Sequence, residues 1–324
     1  MTQQLSASIS APHPLSGKIV TVIGGSGFVG RHLAQHLFEH GARLRIASRS
    51  PGKAYAVRAL ANLGQVQFIG TDVTRPEMLT AGFTGSDMVV NLVSAFTGKL
   101  DAIQGEGAGR IAAAAKAAGV RAFIHVSVLG ADATSDVPYL RTKAEGERAI
   151  LTAYPQATIL RPSVLFGPDD HFVMMLADAM ASAPIMPVFA PEAKLQPLYV
   201  DDLAKAIVNV LANTEHHEGK IYEVAGPEAI SMLEITQRIA AAQERKRHIW
   251  PLSDSMAKVL RALPFTPISA DQYKVLKAGN TLTGALPGLD ALGVTPRPIG
   301  LFLNRWMAPF RKTGRFTDDN AVAP

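Results

Sequence analysis

The sequence predicts an α/β fold, a doubly wound parallel sheet with a smaller, mostly C-terminal second lobe. Short β-branched runs alternate with helical patterns as far as residue 161, the rhythm of right-handed βαβ units. The first of those runs leads directly into three glycines spaced Gly24-x-x-Gly27-x-x-Gly30 and then a helical pattern. From Pro168 onward prolines crowd the chain at Pro184, Pro187, Pro191 and Pro197, which marks the irregular connections of an inserted lobe.

A chain of 324 residues with 48% hydrophobic content can bury a substantial core in one large or two joined domains. The absence of cysteine excludes a disulfide framework, a thiol nucleophile and a zinc-thiolate site. No apolar run reaches the roughly 20 residues needed to span a bilayer. The net charge of +5 favours anionic partners. No helix-turn-helix, zinc-finger or aromatic RNA-binding pattern accompanies it, so nucleic acid is not expected as a partner.

Residues 1–17 are rich in Ser, Pro and Gln and lack both an apolar h-region and the arginines of a transit peptide; they read as a flexible tail. Lys18 to Ile23 is the first strand, and Val29, Leu33, Leu37 and Phe38 recur at helical spacing as far as Gly41. Strands follow at Leu44 to Ser48, Val66 to Ile69, Asp87 to Val93, Ala122 to Ser127 and Ala157 to Arg161. Helices are expected at Glu106 to Ala118, closed by Gly119, and at Pro138 to Ala153. Leu198 to Val200, a helix at Asp202 to Ala212 and a strand at Ile221 to Ala225 return to the core. The expected division is therefore a nucleotide-binding domain of residues 18–167 and 196–228, with a smaller lobe of residues 168–195 and 229–324.

Between a strand and a helix, the three glycines have distinct tasks. Gly24 permits the tight turn, Gly27 lets backbone approach a pyrophosphate, and Gly30 lets helix and strand pack closely. The helix N-terminus then offers free N–H groups to phosphate. This is the signature of a dinucleotide-binding Rossmann sheet. Cofactor choice is decided at the end of the second strand, where an acidic residue selects NAD. Here stand Ser48 and Arg49, and an arginine suits a 2′-phosphate, with Lys53 and Arg31 as helpers, so NADP(H) is expected. The alternative for Arg49 is a solvated surface residue. Asp72 either meets the adenine edge or caps a helix.

Tyr139 and Lys143 lie four apart on one helix and so share a face. An ammonium beside a phenol would lower its pKa and make it a general acid or base next to a nicotinamide.

The motifs Gly24-x-x-Gly27-Phe28-x-Gly30 and Tyr139-x-x-x-Lys143, the block Leu160 to Pro168 and the segment Gln196 to Asp202 resemble an extended short-chain dehydrogenase/reductase. More narrowly, SRSPGKA, PYLRTKAEGERAI, ILRPSVLFGPDDHF and LGVTPRPI resemble the large NAD(P)H-binding accessory subunit of respiratory complex I and its bacterial relatives. The resemblance covers the chain from Lys18 onward. It implies NADP(H) contacts from Phe28, Val29, Val73, Lys143, Pro162 and Ser163 besides the residues above, with no redox turnover expected of the subunit itself; an active enzyme would use a catalytic set of Tyr139, Lys143 and Ser127. It also implies a cytoplasmic protein on the inner face of the respiratory membrane, docked on complex I subunits, with a structural cofactor. The alternative is an NADP-dependent oxidoreductase or epimerase of a small molecule such as a quinone-pathway intermediate or a sugar nucleotide. The catalytic pattern departs from the family at Val128, which aligns where a Ser or Thr is expected, with Ser127 one residue early.

Asp169, Asp170 and His171 follow the Gly167-Pro168 turn without further ligands at metal-binding spacing, so no metal site is expected. Phe302, Leu303, Trp306 and Phe310 with Arg305, Arg311, Lys312 and Arg315 form an apolar and basic segment within residues 299–315. It suits either contact with a partner or membrane surface, or packing on its own lobe.

Overall fold

The computed structural model describes residues 13–261 and 268–311. Strands β1 (Ile19–Ile23), β2 (Arg43–Ser48), β3 (Val66–Gly70), β4 (Met88–Asn91), β5 (Ala122–Val126) and β6 (Thr158–Pro162), with a seventh at Ile221–Val224, form one sheet. Its order is β3-β2-β1-β4-β5-β6 and then the seventh strand, and every pairing is parallel. Strands β1, β4 and β5 read as near-continuous apolar runs because helices cover both faces there. Val20, Val22, Leu44 and Ile46 pack on one face with Leu33, Leu37, Leu203 and Ile207. Ile23, Val89 and Phe123 pack on the other with Leu79, Ile111 and Ile150.

The first face is covered by α1 (Phe28–Glu39) and α6 (Val200–Ala212), the second by α2 (Pro76–Phe83), α3 (Glu106–Ala117) and α4 (Pro138–Ala153), while α5 (Val173–Ser182) opens the second lobe. Helix α4 begins on a proline in its first turn and buries Tyr139, Thr142, Lys143, Gly146, Glu147 and Ile150, a single stripe at helical spacing. That stripe presses closely on the turn before α3, since a Cβ at Gly146 would lie 2.1 Å from the Gln104 carbonyl oxygen.

The second lobe packs α5 against helices Met232–Ala242 and Gly300–Met307 around Phe166, Leu176, Met180, Ile235, Ile239 and Leu303. Its boundary differs from the sequence-based division. Leu289, Leu292 and Val294 belong to the core under α1 and α6, and the Glu223 N–H donates to the Pro287 carbonyl, so the chain after residue 281 returns to the sheet. The tail assignment also needs correction at its end: Leu15 is fully buried in the first core and the Gly17 N–H donates to the Gly41 carbonyl. Residues 1–12 of that tail, and Lys312 and Arg315 of the C-terminal segment, lie outside the described residues.

Candidate dinucleotide-binding site

The sheet order reverses between β1 and β4, and the crevice at the carboxyl ends of these strands is where such folds take ligands. The glycine turn sits there. Gly24 has φ +76°, and a Cβ on it would meet the Leu92 backbone at 3.1 Å, so both turn and packing require glycine. Gly30 would place a Cβ 2.3 Å from the Gly25 carbonyl oxygen, which is the close helix–turn contact. Gly27 meets only the Gly24 carbonyl, at 3.4 Å, and otherwise faces open space at the N-terminus of α1. Phe28 and Val29 begin that helix, and the Phe28 ring lies against Gly167 and His32.

The strand ends carry buried polar atoms for which the described residues supply no hydrogen-bond partner: the hydroxyls of Ser48, Thr71 and Ser127, and the Asn91 amide nitrogen. Orphaned groups of this kind need a ligand or water, and they lie where a dinucleotide would run. Arg49 and Lys53 are exposed beside them. Together with the glycine cradle, these residues fit a nicotinamide dinucleotide.

Other expected contacts are engaged within the protein. Arg31 pairs through one Nη with Asp169, 138 residues away, while its buried Nε has no partner among the described residues. Asp72 accepts from the Thr74 N–H and hydroxyl in a local turn and caps no helix, since α2 begins after Arg75 with no side-chain cap; these bonds with the neighbouring Arg49 hold its carboxyl below its ordinary value. Val73 is a core residue. Pro162 closes β6, while the Ser163 hydroxyl donates to the Asn280 side-chain oxygen at 2.7 Å. Asp170 accepts from the Gly167, Phe172 and Val173 N–H groups and organises the loop before α5. His32 bridges Asp169 and Asp201 at 3.2 and 2.7 Å.

Tyr139 and Lys143 do share the inner face of α4. The expected lowering of the phenol pKa is corrected: burial pushes Tyr139 up, the Ser94 hydroxyl opposing only in part. The Lys143 ammonium donates instead to the Val93 carbonyl at 3.1 Å and the Val126 carbonyl at 3.4 Å. Burial lowers Lys143 to about 8, against the attraction of Glu147. The phenol is also covered, since Phe96 stacks on it with centroids 4.2 Å apart and rings 18° from parallel. Gln104 fixes that cover, accepting from the Ala95 N–H at 3.0 Å and donating to the Thr142 hydroxyl at 2.8 Å. Beneath lies His125, fully buried and held well below its usual pKa by burial and by Lys143, the Asn91 backbone opposing.

Sequence reasoning missed Phe96, Gln104, Asn280 and Arg297. Only the last lies in a motif that had been singled out, LGVTPRPI; its guanidinium and N–H grip Asp202, with Nε at 2.8 Å, and its charge stacks 4.4 Å over Tyr199. The aromatic C-terminal segment turns inward: Phe302 lies 4.3 Å from Tyr199 and 4.8 Å from Trp306, leaving Leu301, Asn304 and Arg305 exposed. Among the described residues no helix is long and apolar enough to cross a membrane.

A glycine turn at the switch point of this sheet, with a Tyr/Lys helix face beside it, is the arrangement of a nicotinamide-dinucleotide-binding Rossmann fold. Residues 20–225 match the NAD dependent epimerase/dehydratase family, and the chain belongs to that family. The rat mitochondrial protein NADH dehydrogenase (ubiquinone) 1 alpha subcomplex subunit 9 is 30% identical over 299 residues, covering 89% of this chain and 79% of its own. The ceramide reductase of Caulobacter vibrioides is 30% identical over 194 residues, covering 59% of this chain and 60% of its own. Among solved structures, the triphenylmethane reductase of Citrobacter sp. complexed with NADP(H) superposes with a TM-score of 0.71 at 21% identity, over 89% of this chain and 99% of that one.

Proposed function

We propose that this protein holds NADP(H) as a structural element and docks, as an accessory subunit, on the respiratory NADH:ubiquinone oxidoreductase, complex I. The observation that carries the non-catalytic part is the covered phenol: Tyr139 lies under Phe96, its pKa is raised, and Lys143 is turned to backbone carbonyls. Likeness to the rat subunit over most of both chains supports the docking part. Arg49 and Lys53, exposed beside the buried Ser48 hydroxyl, support NADP(H) over NAD(H). When bound, the dinucleotide supplies a hydride donor or acceptor. Here the glycine turn and α1 would hold its pyrophosphate and Arg49 its 2′-phosphate, and binding to the native state alone stabilises that state by mass action.

The test has two arms. Purified protein binds NADPH more tightly than NADH, and Arg49→Glu reverses the order; equal affinities in both proteins refute the cofactor assignment. The protein co-purifies with the respiratory enzyme and its deletion impairs assembly; normal assembly without it refutes the docking assignment.

A second reading is an NADP-dependent reductase, dehydrogenase or epimerase of a small molecule, favoured by the retention of Tyr139, Lys143 and the unpartnered Ser127 hydroxyl and by the likeness to ceramide reductase. Tyr139 would be the acid or base, with Lys143 holding the nicotinamide ribose. A Tyr139→Phe protein that kept full turnover on an identified substrate would remove it.

A further inference from the structure

Between Glu39 and Asp72 the chain contains no acidic residue, but it carries Arg43, Arg45, Arg49, Lys53 and Arg58. This stretch builds one rim of the sheet. Among the described residues strand β3 pairs only with β2. The Leu44 N–H donates to the Gln65 carbonyl and the Thr71 N–H to the Ser48 carbonyl, so the alternation turns Gln67 and Ile69 toward β2 and the backbone groups of Val66, Phe68 and Gly70 to the open side. Among the described residues nothing pairs with them. The opposite rim, by contrast, is covered: residues 283–287 run along the seventh strand, where Thr283 donates to the Glu223 carboxylate and the Glu223 N–H donates to the Pro287 carbonyl.

Open edges are usually blunted by charge or proline within the strand, and the β3 sequence VQFIG has neither. Apolar surface surrounds it. Leu63 is fully exposed, Tyr55 and Leu60 are more than half exposed, and Tyr55 meets half-buried Phe68 edge-on at 5.1 Å. Cations lie on the other face: Arg45 is fixed beside the edge by Gln67 and the Gly82 and Thr84 carbonyls, and Arg43, two residues earlier on the same face of β2, is exposed.

We propose that the open edge of β3 is a docking site for an acidic, extended segment of a partner protein, which adds to the sheet as an eighth strand. Main-chain bonds to Val66, Phe68 and Gly70 give the affinity. Apolar side chains of the segment cover Tyr55, Leu60 and Leu63 on one face, and its carboxylates, alternating to the other, meet Arg43 and Arg45. The site is separate from the glycine turn and stands whether or not the cofactor reading does.

The test uses purified full-length protein and two labelled short peptides, one alternating glutamate with valine, the other lysine with valine, followed by fluorescence anisotropy with and without NADPH. The acidic peptide binds saturably and more weakly as salt rises, and the lysine peptide does not bind. Val66→Pro, at a strand-initial position that tolerates proline and removes an outward N–H, weakens binding by roughly tenfold or more. Arg43→Glu, which leaves the backbone intact, weakens it as well. Binding of both peptides alike, of neither, or of the acidic peptide undiminished by both substitutions overturns the proposal. So does sedimentation that shows a dimer lost in Val66→Pro, because a second copy of the chain is then the occupant.

Discussion

Lys143 is the group whose energetics can be read most directly. It is fully buried, and burial lowers it from 10.5 to about 8, a difference equivalent to about 3 kcal/mol at ~1.4 kcal/mol per unit. Between those two values the unfolded chain keeps a proton that the folded chain has released. Stability therefore rises with pH across that window, by about 1.4 kcal/mol per unit from this group alone, and is flat on either side. Lys143→Met removes the titration while keeping the bulk. At neutral pH the variant loses donors to the Val93 and Val126 carbonyls, at a cost of about 1–3 kcal/mol for each unpaired acceptor, which offsets the relief of desolvation. The slope is therefore diagnostic, not the size at one pH. Urea unfolding of both proteins across the window between 8 and 10.5 should show the wild type gaining about 3 kcal/mol on the variant. A constant difference would mean that Lys143 titrates as an ordinary exposed amine and that its burial has been misjudged.

Phe96→Ala should uncover Tyr139, raising its nitration by tetranitromethane several-fold while costing about 0.5–1.5 kcal/mol for the lost stack; an unreactive Tyr139 in the variant would show that other groups bury it. His32 is raised above 6.5 because the hydrogen bonds and charges of Asp201 and Asp169 outweigh the opposing desolvation. Its contribution to stability is fully present below 6.5 and fades as pH rises through the folded value, so the difference between wild type and His32→Asn should shrink from pH ~5 to pH ~8. Glu147, nearly fully buried, accepts three hydrogen bonds from the part-exposed Arg161, and Glu147→Ala removes them; chemical denaturation should register a loss of about 1–3 kcal/mol. Gly30→Ala drives a methyl into backbone that no rotamer change relieves, so it should lose both NADPH binding and about 1–3 kcal/mol or more of stability in thermal and titration assays.

The first half of the chain was legible because its signals are local. The glycine spacing, the apolar strands and the proline that opens α4 each lie within a few residues of what they determine, and α4 runs over Pro138–Ala153 as its pattern indicates. What escaped depends on long-range approach. Arg31 and Asp169 meet across 138 residues, Ser163 and Asn280 across 117, and neither spacing carries a periodic mark. The direction of the Tyr139 shift escaped for a related reason: a four-residue interval places phenol and ammonium on one face, but desolvation is set by Phe96 and the loop after β4, which the helix pattern does not contain. At Arg49 the residue type alone indicated a cation at the end of β2, and that is where it stands, exposed.

The return of the chain after residue 281 also bears on synthesis. Leu289, Leu292 and Val294 complete the core under α1 and α6, and Arg297 grips Asp202 on α6. While the ribosome has delivered only the seven strands, that apolar surface and the Asp202 carboxylate still wait for partners made some 70 residues later, since the seventh strand ends at Val224 and Val294 follows it by 294 − 224 = 70. The nucleotide-binding half is thus encoded first but closed last, and a nascent chain stalled before residue 297 would expose a sticky half-core to chaperones and proteases.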